Sequence, residues 1–118
     1  MEKYVDILFK RVEMIKNWKE YVINIYFAVK KILPNASVYI FGSVVKNEIV
    51  GGSDIDILII SKSIQKENLE RVKIKRKIEE LTNLPPYHPF EFHIVNEDEA
   101  KLYFKKIKEL KRVNDLIN

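Results

Sequence analysis

The amino-acid sequence predicts an α/β (α+β) fold, with a small mixed sheet of three or more strands and helices packed on it. Helical and strand-like patterns alternate in the order helix, strand, turn, strand, helix, strand, helix. The second strand pattern is almost wholly apolar, which is typical of a central strand covered on both faces. The chain has 118 residues without repeats or low-complexity linkers, so we expect one domain over 1–118.

The first predicted element is helical and covers residues 3–33. Its apolar residues recur at spacings of three and four, as on one face of a helix. They are Val5, Leu8, Val12, Ile15, Val22, Tyr26, Val29 and Leu33. The pattern is compatible with one long helix or with two helices that meet at a bend near Asn17, and Pro34 ends it in either case.

Other large apolar residues of this segment fall on further faces of the helix. They are Tyr4, Ile7, Phe9, Met14, Trp18, Tyr21, Ile23 and Phe27. A helix that is apolar nearly all round is usually buried or covered by a partner. The segment therefore either packs on the sheet or forms an interface in a homo- or hetero-oligomer.

Two strands with a turn between them follow the first helical segment. Residues 37–41 are rich in β-branched and aromatic side chains, which favours a strand, and Gly42 ends it. We expect residues 44–50 to form a short helical turn and a loop. The glycine-rich stretch 51–53 predicts a turn, and residues 54–60 predict the central strand.

A third helix is predicted from Ser63, which can act as an N-cap, to about Thr82. Several of its apolar residues are expected to point into the core. They are Leu69, Val72, Ile74, Ile78 and Leu81. Residues 83–89 contain three prolines and cannot be helical, because proline fixes φ and lacks an N–H donor.

The last part of the chain predicts a strand and a helix. Residues 90–95 form the strand pattern, with Phe90, Phe92 and Ile94 on one of its faces. Asn96 and a glutamate three residues later resemble a capping box at the start of the helix. We expect that helix to continue along one amphipathic stripe. The stripe consists of Ala100, Tyr103, Ile107, Leu110, Asn114 and Ile117.

Composition limits the class of protein. The chain has no cysteine, which excludes disulfides and thiolate metal sites. It has no apolar stretch of roughly 18 residues that could span a bilayer, and its first residues lack a signal-peptide pattern. We therefore expect a cytoplasmic protein without membrane contact. The net charge of +4 favours anionic partners, or it reflects a lysine-rich solvated surface.

Two aspartates stand where the central strand begins. Asp54 and Asp56 point to one face of a strand, with Cα atoms about 6.5 Å apart. Two carboxylates on one face repel each other, and a divalent cation relieves that repulsion. Upstream, Gly42 and Ser43 close the preceding strand. Their backbone N–H groups and the serine hydroxyl can form an anion cradle that a phosphate approaches without meeting a Cβ atom.

Gly42, Ser43, Asp54 and Asp56 form the pattern G-S-x10-D-x-D, with ten residues between Ser43 and Asp54. This pattern resembles the polymerase-β-like nucleotidyltransferase superfamily, and the short chain is similar to its minimal nucleotidyltransferase branch. The resemblance covers residues from about Val22 to Val95. It implies that the Gly-Ser turn holds the nucleotide phosphates and that the D-x-D pair binds Mg²⁺, with two ions expected.

The same resemblance implies a third metal-binding carboxylate on a later strand. Glu91 is the candidate, although it departs from the family's more frequent Asp and could be an ordinary exposed strand residue. His93 shares its face and could bind phosphate, support Glu91 or be structural. Lys46 either supplies positive charge to the triphosphate or is a surface lysine. Ser53 either orients Asp54 or forms the turn, and both Lys46 and Ser53 are candidate nucleotide-binding residues.

The resemblance implies a Mg²⁺-dependent nucleotidyltransferase that moves a nucleoside monophosphate, AMP from ATP in the first instance, onto a hydroxyl. Minimal nucleotidyltransferases often accompany a helical HEPN-type toxin, so the acceptor could be that partner protein. One alternative is an inactive or weak antitoxin that acts by binding alone. Another is an RNA-binding accessory subunit. Nucleic acid is not expected as a direct ligand, because the basic cluster of the third helix lacks interleaved aromatic residues.

Overall fold

The protein is described over residues 2–45 and 54–117 by a computed structural model, and the order of its elements confirms the predicted α+β class. The described helices are α1 (Glu2–Lys16), α2 (Trp18–Ile32), α3 (Asn68–Leu81), α4 (Glu97–Lys106) and α5 (Asn114–Ile117). The described strands are β1 (Ser37–Phe41), β2 (Ile55–Ile60), β3 (Phe90–Val95) and β4 (Lys111–Arg112).

These four strands form one mixed sheet in the order β3-β2-β1-β4. β1 runs antiparallel to both β2 and β4, whereas β2 and β3 are parallel. The register places Asp56 beside Phe41 on one side and beside Glu91 on the other. The start of β2 therefore lies next to the end of β1 and the start of β3.

Strand β2 is buried on both faces, as predicted. Ile57 and Ile59 belong to the larger core, which contains residues of α2 and α3. Leu58 and Ile60 belong to a smaller core on the opposite face, together with Ala100 of α4. Burying each such side chain stabilises the fold by about 1.5–3 kcal/mol, so the strand that presents Asp56 is firmly anchored.

The first helical segment is two helices that meet at Asn17, which selects the bent alternative. The expected inward stripe holds from Ile15 onward. Val22 and Val29 of α2 are buried, but Val5, Leu8 and Val12 of α1 are exposed. Near the end of α1, Met14 and Ile15 are buried. Helix α1 is therefore attached to the core at its C-terminal end and presents an apolar face to solvent.

Helix α3 begins at Asn68, so the predicted start at Ser63 is wrong. The Ser63 N–H donates to the Ser61 hydroxyl in a turn, and the two hydroxyl groups are also hydrogen-bonded. Ile64, which follows this turn, is buried. That burial anchors residues 61–64 outside the helix.

The predicted inward stripe of α3 is only partly correct. Ile74 and Ile78 are buried, whereas Leu69, Val72 and Leu81 are exposed. At about 100° per residue, Leu69 lies on the opposite side of the helix from Ile78. A helix of this composition offers more apolar positions than its one packed face can cover.

The expected continuous last helix is also wrong. Helix α4 begins with the predicted capping box at Asn96 but ends at Lys106, and Ile107 has an extended backbone. Strand β4 then pairs with β1, and the Val113 N–H donates to the Val38 carbonyl. Pairing with the free edge of β1 outweighs the helical pattern in this segment. None of the helices in the described residues has the length and apolar character needed to cross a membrane.

Candidate active site

The Gly-Ser turn lies directly against Asp56. Gly42, Ser43 and Val44 form one turn of 3₁₀ helix, and the buried Val44 anchors it. Gly42 has φ of +86°, and a Cβ atom there would lie 2.6 Å from Asp56 Oδ2. Position 42 therefore requires glycine for two reasons, the left-handed backbone and the close approach of the carboxylate.

Three potential metal ligands lie close together near the N-terminal ends of β2 and β3. Asp56, Glu91 and His93 each offer an atom within 4.8 Å of the others. His93 Nε2 is 3.0 Å from Asp56 Oδ1 and 4.0 Å from Glu91 Oε1. The parallel register creates this cluster, because it pairs Asp56 with Glu91 and places His93 two residues further along the same face.

The imidazole of His93 is held by its surroundings. Its Nδ1 atom lies 3.2 Å from the hydroxyl of Tyr103 in α4. The centroids of the imidazole ring and the Phe41 ring are 5.1 Å apart. Burial is the main cause that raises the pKa of Tyr103, and the nearby carboxylates add to it. The phenol therefore stays protonated, and it can either donate to Nδ1 or accept from an Nδ1–H group.

Asp54 occupies a different environment. It lies just before β2, its side chain is 50% exposed, and it is not one of the three clustered residues. Its Oδ1 atom accepts a hydrogen bond of 2.7 Å from Nη2 of Arg11 in α1. Arg11 Nη1 also donates to the Tyr87 carbonyl at 2.8 Å. No pattern in the sequence indicated this contact between residues far apart in the chain.

The cluster of Asp56, Glu91 and His93 passes a simple test for a divalent cation. Two ligands at right angles around an octahedral ion with bonds of about 2.1 Å lie about 3.0 Å apart, and opposite ligands lie about 4.2 Å apart. The His93–Asp56 distance of 3.0 Å equals the first value, and the His93–Glu91 distance of 4.0 Å lies between the two, so the three side chains are spaced closely enough to surround one ion. Carboxylates suit Mg²⁺ and Mn²⁺, and imidazole widens the range of acceptable metals.

A cleft adjoins the Gly-Ser turn. It has a volume of about 400 Å³ and is lined by Phe41, Gly42, Lys106, Ile107, Lys108 and Glu109. Its two lysines give it positive charge, and its size lies within the usual range of about 300–1,000 Å³ for ligand sites. Among the candidate site residues, Lys46 and Ser53 lie outside the described residues.

Comparison with known proteins identifies the family. The nucleotidyltransferase domain family matches residues 22–116. A crystal structure of a candidate nucleotidyltransferase is 30% identical, with a TM-score of 0.62, and the match covers 77% of this chain and 95% of that chain. None of the curated proteins matches the chain.

A second solved structure has the same fold. It is that of a candidate nucleotidyltransferase from Sulfolobus solfataricus, with 24% identity and a TM-score of 0.54. The match covers 90% of this chain and 84% of that chain. The family match over 22–116 spans β1 to β4, including Gly42, Asp56 and Glu91. The chain belongs to the nucleotidyltransferase domain family.

Proposed function

We propose that the protein uses Mg²⁺ to transfer AMP from ATP onto a hydroxyl group of a protein or small acceptor. The observation that supports this most directly is the contact between the Gly42 turn and Asp56, beside Glu91 and His93. It joins a phosphate cradle to a set of metal ligands within a nucleotidyltransferase domain.

Each residue of the site has a role in this proposal. Gly42 and Ser43 bind the β- and γ-phosphates through backbone N–H groups and the serine hydroxyl. Asp54, Asp56 and Glu91 hold the metal, and two bound Mg²⁺ ions would supply positive charge to the α-phosphate and to the leaving oxygen.

The proposed reaction is an in-line substitution at the α-phosphorus. The acceptor oxygen forms a bond to the α-phosphorus, the bond to the β-phosphate oxygen breaks, and pyrophosphate leaves. The acceptor's proton passes to the Glu91 carboxylate, whose side chain is 55% exposed and can be reached by an acceptor. His93 keeps Asp56 oriented through the hydrogen bond from Nε2.

Transfer of label from α-labelled ATP tests this proposal. Asp56→Asn should reduce the rate at least about 100-fold, because it weakens metal binding and charge stabilisation together. Asp98→Asn makes the same chemical change at an exposed ion pair on α4 and serves as the matched control. Wild-type transfer by a folded Asp56→Asn variant would contradict the mechanism.

The exposed face of α1 supports a second candidate function, the binding of a partner protein. Tyr4, Val5, Leu8, Phe9 and Val12 are all exposed, and Tyr4 and Phe9 are 66% and 70% exposed. An apolar helix face of this kind is suited to another helix. We infer a HEPN-type helical toxin as the partner, which the protein neutralises by adenylylation or, in the alternative, by binding alone.

Two variants separate these forms of neutralisation. An Asp54→Asn, Asp56→Asn double variant should lose neutralisation if AMP transfer is the cause and keep it if binding is sufficient. Leu8→Glu with Phe9→Glu should abolish complex formation in either case. Full neutralisation by the α1 variant, measured by growth of cells that express the toxin, would show that α1 is not the interface.

A further inference from the structure

Arg11 is the residue of α1 that reaches the D-x-D segment. Its guanidinium donates from Nη2 to Asp54 Oδ1 and from Nη1 to the Tyr87 carbonyl, at 2.7 and 2.8 Å. The side chain is only 24% exposed, so most of it is shielded from solvent. Helix α1 precedes the family match over 22–116, so this cation is an addition to the matched domain.

The ion pair links Arg11 to metal binding, since Asp54 is one of the proposed metal ligands. Within the described residues, Arg11 is the only cation that forms an ion pair with Asp54. A carboxylate that ligates a divalent cation must share or give up such a partner. Because Asp54 is half-exposed, the pair is weak and can be exchanged at low cost in free energy.

The second contact of Arg11 does not depend on Asp54. The bond from Nη1 to Tyr87 keeps the guanidinium at the edge of the site when Asp54 turns to a metal. The released Nη2 donors would then be free to bind an anion that lies beside the D-x-D segment. A planar guanidinium matches the oxygens of a phosphate in a way that an ammonium does not.

We propose that Arg11 is a nucleotide-binding residue that pairs with Asp54 in the metal-free protein and with the triphosphate in the loaded protein. Helix α1 thereby completes the nucleotide site from outside the matched domain. This inference rests on the proposed function, because it requires a metal at Asp54 and a nucleotide beside it. It also predicts opposite effects of Arg11 on the two ligands.

Binding of Mn²⁺ alone and of ATP's non-transferable α,β-methylene analogue at saturating Mn²⁺ tests the inference. In Arg11→Met, Mn²⁺ should bind about 1.5- to fivefold more tightly, since a competing cation is gone. The affinity for the analogue should fall at least about tenfold, because charge-assisted hydrogen bonds are lost. Arg11→Lys should restore the charge without the planar fork and give an intermediate analogue affinity.

Lys10→Met is the matched control, because Lys10 lies on the same helix but pairs with Glu13. It should change neither affinity appreciably. Circular dichroism and thermal melting confirm that each variant is folded. A merely structural role for Arg11 would weaken both ligands and overturn the inference, as would unchanged analogue affinity in Arg11→Met. If the wild-type protein binds neither Mn²⁺ nor the analogue, the proposed function itself fails.

Discussion

The site on β2 and β3 and the helix α1 are stabilised in different ways. Asp56, Glu91 and His93 are positioned by the parallel pairing of β2 with β3, and β2 is buried on both faces. Helix α1 is fixed at its C-terminal end by Met14 and Ile15 and beside the site by Arg11. Its apolar residues Tyr4, Val5, Leu8, Phe9 and Val12 are exposed to solvent. The site on β2 and β3 is therefore held by buried structure, whereas α1 presents an exposed surface to which a ligand or a partner can bind.

The largest effect is expected at Gly42. Gly42→Ala would force a Cβ atom against Asp56 Oδ2 at a left-handed backbone position, so nucleotidyl transfer should fall at least about 100-fold. Asn83→Ala is the control, because Asn83 also has positive φ, 53°, but lies beyond the end of α3. If both variants lost stability and neither lost activity, the Gly42 turn would not shape the site.

Core substitutions should distinguish the two regions by stability. Ile57→Ala removes a fully buried side chain from β2 and should lower the free energy of unfolding by about 2–5 kcal/mol. Leu8→Ala on the exposed face of α1 should change it by about 0.5 kcal/mol or less. Denaturant titration measures both. A loss at Leu8 equal to that at Ile57 would mean that α1 packs on the domain in solution.

Removal of the Tyr103 hydroxyl tests whether residues behind His93 contribute to metal binding. Tyr103→Phe removes the partner of His93 Nδ1, and Mn²⁺ affinity should fall by up to about tenfold, because the imidazole that orients the metal ligand Asp56 is then held less firmly. Tyr39→Phe removes a hydroxyl from β1 and serves as control. Equal Mn²⁺ affinity in both variants would show that the contact between Tyr103 and His93 does not help to hold Asp56 in position for the metal.

The smallest effect concerns pH. The hydrogen bond from Arg71 is the main cause that holds the pKa of Glu99 below its usual value. The pair therefore stabilises the fold above about pH 4.5, and this contribution is lost as pH falls through the lowered pKa. Because Glu99 is 39% exposed, solvent limits the contribution to about 1 kcal/mol or less.

Melting temperatures at pH 7 and pH 3 check this prediction. Wild type should exceed Glu99→Gln at pH 7, and the difference should shrink at pH 3. On α1, the hydrogen bond from Lys10 likewise lowers the pKa of Glu13, whose side chain is 45% exposed. Lys10 makes a single contact with Glu13, whereas Arg71 makes two hydrogen bonds to Glu99, so Glu13→Gln should show a weaker pH dependence. A stronger dependence at Glu13 than at Glu99 would reverse the contrast between the two regions.

Sequence periodicity predicted most of the fold. The bounds of β1 and β3, the nearly complete β2 and the capping box at Asn96 follow from short-range patterns of side-chain type. The prediction failed where pairing between distant segments decides the outcome. Residues 107–113 read as helix, yet β4 forms there because the edge of β1 was available to pair with it.

The candidate site likewise has features that short-range sequence patterns predict and features that depend on contacts between distant segments. The sequence by itself determined the family resemblance, because the spacing of Gly42, Ser43, Asp54 and Asp56 lies within one short segment, and it placed Glu91 and His93 on one face of their strand. Only the tertiary structure decided that His93 contacts Asp56, that Gly42 touches the same carboxylate and that Arg11 pairs with Asp54. Periodicity records which face a residue occupies, whereas contacts across the sheet and between helices depend on how the whole chain packs.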